Sequence, residues 1–460
     1  MANNNTATRS QVWALQGLRV LFQETPALQW VDRQFSMELQ RAGTQVNAYR
    51  AAKRKTRRKD GPDSNTASDT TTVAVPVVLD QYFFDAFFID DEDEALSVTQ
   101  LTRLHALPAL QTISQGVSRA ILGRCHAFLR QGTPAKRAGR LGKMTKDNAA
   151  DFILEAEEVL ADNNAPLGGV WAAIVHHTAN TKLMRSSSFE TMNERGSDGT
   201  VITGRVGKVY NTQIVLSQDV NYVDAASADS EDKAINNAAG YAVGSVAAMT
   251  TDGGGTDYTV GEYVTVDGND QPTFATAATS TTSVTLNEAL KFGVLDDAVI
   301  KHYQKCLVDD VPGDLVAGYK KVVKLDNHAS GKNPQVGQLV SFGTGASRHT
   351  YTIIEIDAST ATTTDVLLDR PLDATVANNA DCFPGPAGSM NPVMHREAIA
   401  FVSRPMRSKS GRGVLASVAN FDGVALRVQE ADTTNGTEYV VDLLAGVSVL
   451  DEDLLCVMLA

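Results

Sequence analysis

The sequence predicts an α+β fold in which a β-rich segment is inserted into a mixed body, and three observations predict it. Apolar residues recur at helical spacing near the N-terminus and again over residues 108–128. Short alternating runs with strand character flank those helices and return at the end of the chain. Between them, residues 223–388 are rich in Thr, Gly, Asp and Val and carry an internal repeat. The chain has 460 residues, 43% hydrophobic and 21% charged, which is enough apolar material for a sizeable core.

Residues 1–43 read as a helical arm. Val12, Leu15, Leu18, Val20, Leu21 and Phe22 precede Thr25-Pro26, and a second helix carries Leu28, Val31, Phe35 and Leu39 until Ala42-Gly43 stops it. Residues 44–95 read as an extended hairpin. The run 44–49 alternates and the run 71–79 returns, with Pro76 confining the return strand to an edge because proline cannot donate to a ladder. Tyr82, Phe83, Phe84, Phe87 and Phe88 then form an aromatic anchor.

Residues 96–169 hold the main helix. Ser97 with Gln100 suggests a capping box, and Pro108 suits a first helical position. Ile113, Val117, Ile121, Cys125 and Phe128 share one face, and Gly132 and Pro134 end the helix. At about 24 residues it would span roughly 35 Å. A further helix covers 146–161. Residues 170–222 supply a buried strand at 170–175 and a strand region at 206–216. After residue 389, strands are expected at 398–402, 424–428 and 439–444, and the apolar run 454–459 ties the C-terminus into a sheet. Within the insertion, 260–266 resembles 336–342 and 283–290 resembles 365–372, nearly collinear, which reads as two small β-barrel-like units.

The net charge of −13 hides an asymmetry. Residues 1–59 carry 11 basic and 3 acidic residues, whereas 221–390 carry 10 basic and 22 acidic ones. The four cysteines, Cys125, Cys306, Cys382 and Cys456, lie far apart without a C-x-x-C, which disfavours a zinc knuckle or a disulfide framework and suits a reducing compartment. No run approaches the ~18 apolar residues of a membrane span, and the N-terminus has no signal-peptide core, so no membrane partner is expected.

No catalytic constellation emerges, and neither a metal nor a cofactor is expected. His176-His177 has no Cys or acidic partner at ligand spacing, and adjacent strand residues point to opposite faces; a strand end leading into a helix at Thr178 explains the pair. Asp252-Gly253-Gly254-Gly255 lacks the Lys-Ser/Thr of a phosphate loop. The segment Gly343-Thr344-Gly345-Ala346-Ser347 has the wrong spacing for a nucleotide fingerprint or a nucleophile elbow. The acidic run Asp90, Asp91, Glu92, Asp93, Glu94 lacks the glycine and distal glutamate of a calcium loop; it suits a solvated helix start or contact with a basic neighbour. The run 50–59 stands out, because seven of its ten residues are cationic: Arg50, Lys53, Arg54, Lys55, Arg57, Arg58 and Lys59. A solvated hairpin tip, contact with phosphates, and contact with an acidic surface of another subunit all remain open for it.

Four stretches together resemble the major capsid protein of tailed double-stranded-DNA bacteriophages, the Hong Kong 97-type fold, in the podovirus coat-like branch that carries an inserted domain. They are Leu28-Gln29-Trp30-Val31-Asp32-Arg33-Gln34-Phe35 leading to Ala42-Gly43-Thr44-Gln45-Val46; Phe87-Phe88-Ile89-Asp90-Asp91-Glu92; Gly204-Arg205-Val206-Gly207-Lys208-Val209-Tyr210-Asn211-Thr212; and the ending with Ala398-Ile399-Ala400-Phe401-Val402, Gly423-Val424-Ala425-Leu426-Arg427-Val428 and Val441-Asp442-Leu443-Leu444-Ala445-Gly446. Asn211 and Ala445 depart from the family pattern, which favours a glycine and an aromatic there.

The resemblance implies an N-arm (1–43), an E-loop hairpin (44–95), a peripheral domain with the spine helix (96–169), axial and peripheral parts (170–222 and 389–460), and an outward insertion (223–388). It implies a non-enzymatic role: self-assembly into hexamers and pentamers of an icosahedral virion head, built in the host cytoplasm with a scaffolding protein and a portal. Packaged double-stranded DNA would be enclosed by non-specific proximity. It also implies inter-subunit contact through the basic run and through Asp90, Asp91 and Glu92. An encapsulin-like compartment shell and a β-rich binding or adhesion protein are the alternative readings.

Overall fold

The computed structural model describes residues 5–34, 45–50, 73–90, 101–126, 137–138, 144–166, 171–186, 207–223, 233–244, 248–252, 259–266, 269–280, 283–286, 290, 293–302, 305–309, 315–318, 322–328, 333–344, 347–385, 388–406 and 414–460. The chain starts with helix α1 (Asn5–Glu24) and a 3-10 turn at Pro26–Trp30. Strands β1 (Gln45–Arg50) and β2 (Val73–Val78) form an antiparallel ribbon, followed by the long strand β3 (Gln81–Asp90). A π-turn at Thr102–Ala106 leads into α2 (Leu107–Arg124). Then come β4 (Arg137–Ala138), α3 (Ala149–Asp162), β5 (Trp171–Val175), α4 (His177–Met184), β6 (Lys208–Val209), β7 (Thr212–Leu216) and β8 (Tyr222–Val223).

Among the described residues the middle of the chain has strands and turns but no α-helix. A first group is β9 (Lys233–Ala234), β10 (Met249–Thr250), β11 (Tyr263–Val266), β12 (Asn269–Ser280), β13 (Ser283–Leu286) and β14 (Val299–His302). A second group is β15 (Cys306–Val308), β16 (Val323–Asp326), β17 (Leu339–Phe342), β18 (His349–Ser359), β19 (Thr364–Leu368) and β20 (Asp381–Pro384). The chain ends with β21 (Gly388–Met394), β22 (Ile399–Arg404), β23 (Val414–Phe421), β24 (Val424–Thr433), β25 (Gly436–Val449) and β26 (Leu455–Leu459).

These elements fall into two compact units. One comprises Met1–Arg19, Val31–Leu110 and Glu397–Asp451; the other comprises Val20–Trp30, Gln111–Arg396 and Glu452–Ala460. The first unit is built on the sheet β22-β25-β24-β23, with β3 paired along β25 from Gln81↔Ala445 to Asp90↔Gly436. The β1–β2 ribbon buries Val46, Ala48, Val77 and Leu79 against Ala400 and Val402 of β22. Pro76 sits opposite Asn47 in this ribbon and is exposed, as a residue without an N–H should be.

One expectation is corrected in this unit. No helix runs on from Leu28 past Val31. Asp32 instead joins β22, accepting from Phe401 N (2.8 Å) and donating to Ile399 O (2.8 Å). A strand edge that offers both a donor and an acceptor satisfies this backbone as well as a helical turn would. Phe35 and Leu39 lie outside the described residues.

In the second unit, one sheet runs β4-β26-β21-β5-β7-β6, with β8 also paired to β21. Every residue of β5 and β26 is buried, as a central strand covered on both faces requires. The C-terminal residue is held by reciprocal bonds, Ala460 N to Ser389 O (3.0 Å) and Ser389 N to Ala460 O (2.8 Å). Helix α2 buries Ile113, Val117 and Ile121 at i, i+4 spacing, with Cys125 one turn beyond. It ends at Arg124, and Phe128 and the expected stop at Gly132 lie outside the described residues.

The two central groups of strands share one plan. β15, β16, β19, β18, β17 and β20 close into a barrel in that order. The first group runs β10-β13-β12-β11-β14-β9, the same order strand for strand, and the bridge Ile235↔Thr251 joins its outer strands. Hydrogen bonds outside the strands match as well. Tyr241↔Val294 corresponds to Leu315↔Val376, and Asp297 N to Ile235 O corresponds to Asn379 N to Val308 O. The turn residues Asp297 and Asn379 both adopt positive φ (62° and 59°). The interiors correspond too: Ile235, Met249, Val264, Val284, Leu286 and Ile300 in one, Val308, Val323, Val340, Val366, Leu368 and Cys382 in the other.

Candidate assembly surface

Strand β3 carries aromatic residues on both faces, and the pleat sends alternate ones opposite ways. On one face Phe87 packs against Tyr439 (ring centroids 5.5 Å), and Trp13 of α1 lies over both, 4.7 Å from Tyr439 and 6.1 Å from Phe87. Trp13 is 1% exposed, so this face is closed by the arm helix. On the other face Tyr82, Phe84 and Phe88 are 47%, 60% and 51% exposed. Val418 of β23, also exposed, shares that face through its pairing with Arg427. Tyr49, Val73 and Val78 of the ribbon are exposed as well. An exposed row of aromatic side chains on one strand is a candidate contact surface.

A buried polar cluster fixes the geometry of the open face. Arg427 Nε donates to Asp442 Oδ1 (2.9 Å), its Nη2 donates to Oδ2, and the Tyr82 hydroxyl donates to Oδ2 (2.9 Å). Burial works against the Arg427 charge, but the bond and charge of Asp442 more than offset it and leave its pKa raised. Burial, then the bond to Asp442, pushes the Tyr82 phenol up, so it stays a donor. Tyr82 also stacks on Phe84 (5.6 Å, 21°). The aromatic row is therefore anchored at one end by a satisfied ion pair.

Of the residues singled out in the sequence, Arg50 is the last residue of β1, paired with Val73, and Asp90 is the last residue of β3, exposed and paired with Gly436. The two end different strand pairs. Lys53, Arg54, Lys55, Arg57, Arg58, Lys59, Asp91 and Glu92 lie outside the described residues. The open row of Tyr82, Phe84 and Phe88 was not separable from a buried anchor by composition. Its one signal was a run aromatic at both parities, more apolar surface than a single sheet face can bury.

The histidine pair is a structural corner. His176 follows β5 and caps α4, with Nδ1 2.7 Å from Thr178 Oγ1, while its backbone N–H donates to Asn391 Oδ1 (2.8 Å). The two imidazoles lie 3.8 Å apart and His176 stacks on Tyr222 at 4.7 Å, so they do not point to opposite faces as strand geometry implied. The chain turns from strand to helix between them. Burial, then His177, lowers the His176 pKa to about 4. Among the described residues no group of three His, Cys, Asp or Glu side chains converges as a metal site. Among them, too, no helix is long and apolar enough to cross a membrane.

The two barrels meet at Arg348, which is buried. Its Nη1 donates to Gly261 O, and its guanidinium lies over the rings of Tyr263 (4.7 Å) and Phe383 (5.2 Å). Beside it, buried Glu262 accepts from Thr259 N (2.8 Å) and Lys305 N (3.4 Å). The counterpart in the second barrel is neutral: Gln338 Oε1 accepts from Gln335 N (3.0 Å). The second barrel also packs on α2, where Arg119 Nη1 donates to Ile354 O (3.3 Å) and Gly123 lies against Asp369.

No family model matches the sequence, and no curated protein matches it. Among solved structures the chain is similar to one from Mycobacterium phage Che8, with 11% identity over 94% of this chain and 90% of that one, at a TM-score of 0.41. It is also similar to one described as the capsid structure of the Cyanophage P-SCSP1u, with 12% identity, 91% and 84% coverage, and a TM-score of 0.41. A third is described as the capsid structure of Staphylococcus phage Andhra, with 8% identity, 93% and 84% coverage, and a TM-score of 0.38.

Proposed function

We propose that this chain is the major capsid protein of a tailed double-stranded-DNA bacteriophage, built on the Hong Kong 97-type plan. The observation that carries the reading is the order of parts along the chain. An arm helix (α1) leads to a two-stranded ribbon, the ribbon runs on as β3, the long helix α2 follows, and the C-terminal strands return to pair with β3. In this reading the ribbon and residues 51–72 are the E-loop, α2 is the spine helix, and the sheet of β5, β7, β21 and β26 belongs to the axial domain. Residues 223–388 are an insertion of two like barrels. The pairing of β8 with β21, which brings its two ends together, supports that assignment.

The subunits would form hexamers and pentamers of an icosahedral shell in the host cytoplasm, with a scaffolding protein and a portal, and would enclose DNA without reading it. No step of that work is catalytic. It rests on apolar area removed from water, roughly 25 cal/mol per Å² before association costs, multiplied by many repeated contacts. The open row Tyr82, Phe84, Phe88 supplies such area. The acidity of residues 221–390 leaves the remainder of the chain near neutrality, which suits a container wall facing DNA.

The charge run offers the test. Replacing Arg54, Arg57 and Arg58 together by glutamate should abolish or strongly reduce shell formation, scored by sedimentation, while the thermal unfolding of the unassembled protein stays within about 2 °C. Normal shells from that variant would remove the basic run from the inter-subunit contact.

A further inference from the structure

Cys306 and Cys382 are far apart in sequence, yet they are direct partners across the antiparallel pair β15–β20. Both are buried in the interior of the second barrel, and both are free thiols. Residues directly opposed in an antiparallel pair have Cα atoms about 4.5–5.5 Å apart, inside the roughly 4.4–6.8 Å window that a disulfide needs. Their side chains point to the same side of the sheet, because they share one register position.

The first barrel gives the contrast. The equivalent strand pair, β14–β9, places Ile300 opposite Lys233. The barrel plan therefore does not require two thiols at this position; they belong to the second copy alone. They also sit where a cross-link matters, because β15 and β20 are the first and last strands of that barrel.

We propose that Cys306 and Cys382 form a latent cross-strand disulfide that closes the second barrel covalently when the protein meets a small-molecule disulfide as oxidant. One cysteine thiolate attacks a sulfur of the oxidant, forming a mixed disulfide and expelling one thiolate. The other cysteine thiolate then attacks the first cysteine's own Sγ in the mixed disulfide and expels the second oxidant thiolate. The two cysteine sulfurs are oxidised, the two oxidant sulfurs are reduced to thiols, and the two protons lost by the cysteines end on them. Burial pushes the Cys306 thiol up to about 12 and Cys382 well above its usual range, so the closed barrel reacts slowly and the bond forms when the β15–β20 ladder opens. Once formed, the bond spans nearly the whole barrel sequence, so it restricts the unfolded chain strongly.

The inference does not depend on the capsid reading, and its test uses the full chain. The protein is incubated with oxidised glutathione under native conditions, free thiols are then blocked, and the protein is digested without reduction. The expected result is a linked peptide pair containing Cys306 and Cys382, an intact mass lower by about 2 Da, and an apparent unfolding temperature raised by at least about 5 °C. Cys306→Val should lose all three, and Cys382→Val serves if that variant misfolds. Four free thiols persisting after the barrel has been given time and mild heat to open, or a link through Cys125 or Cys456 instead, would overturn the proposal.

Discussion

Glu262 shows how one buried carboxyl sets a pH dependence. Burial pushes it up to about 7, against the backbone bonds and Lys305, which pull it down, with Asp381 adding to the rise. Its ordinary value is 4.5. Between those two pH values the folded chain holds a proton that the unfolded chain has released, so this group's contribution to stability falls as pH rises through the window and is level outside it. Glu262→Gln removes the titration, as Gln338 does in the second barrel. The stability of the variant relative to the parent should therefore climb from about pH 4.5 to about pH 7, read from denaturant unfolding at several pH values; parallel curves would contradict the assignment. Gly123 is a second residue with a determinate sign. A Cβ there would lie 2.8 Å from the Asp369 Cβ and Cγ, and Asp369 is fixed by Thr352 N (2.7 Å) and Arg370 Nη1 (3.2 Å). Alanine ordinarily stabilises a helix by about 1 kcal/mol over glycine. Here the clash should win, and Gly123→Ala should lower stability by about 1–3 kcal/mol.

Elements were legible where pattern alone decides them. The alternation in 44–49 and the facing run with Pro76 gave the ribbon, and the i, i+4 stripe from Ile113 to Cys125 gave α2. The stretch after Thr25 reads as one continuous helix because Leu28 and Val31 have helical spacing, but the chain leaves the helical turn at Val31, because the partner that captures Asp32 lies in β22, remote in sequence. Strand β23 was missed for a related reason: Val414–Phe421 lacks strong alternation, and its pairing with β24 makes it a strand. The repeat was visible only where β11 resembles β17 and β13 resembles β19. The rest of the correspondence lies in hydrogen bonds and strand order, which tolerate sequence change. Trp13 is the largest buried side chain of helix α1, which also buries Ala14, Leu18 and Leu21. Trp13→Ala should destabilise the protein by about 3–5 kcal/mol, and hydrogen exchange should show protection lost first along α1 and on Phe87 and Tyr439. Uniform loss of protection would mean that the helix does not depend on that contact.

At the scale of the whole molecule, the sequence carried the order of parts and the uneven charge, and these support the capsid reading. It could not carry the open aromatic face, because exposure depends on which side of β3 the helix α1 covers. It could not carry the Cys306–Cys382 pairing either, because strand order brings those residues together. An open row of aromatic residues on β3, and a charged run following β1 in the sequence, have a clear use once copies of the chain meet. The measurement that tests this most directly is electron microscopy of the full chain, expressed alone and with a scaffolding protein. The account predicts closed shells of uniform diameter, or hexameric and pentameric rings that convert to shells. A monodisperse monomer that persists at high concentration, with and without the scaffold, would contradict it.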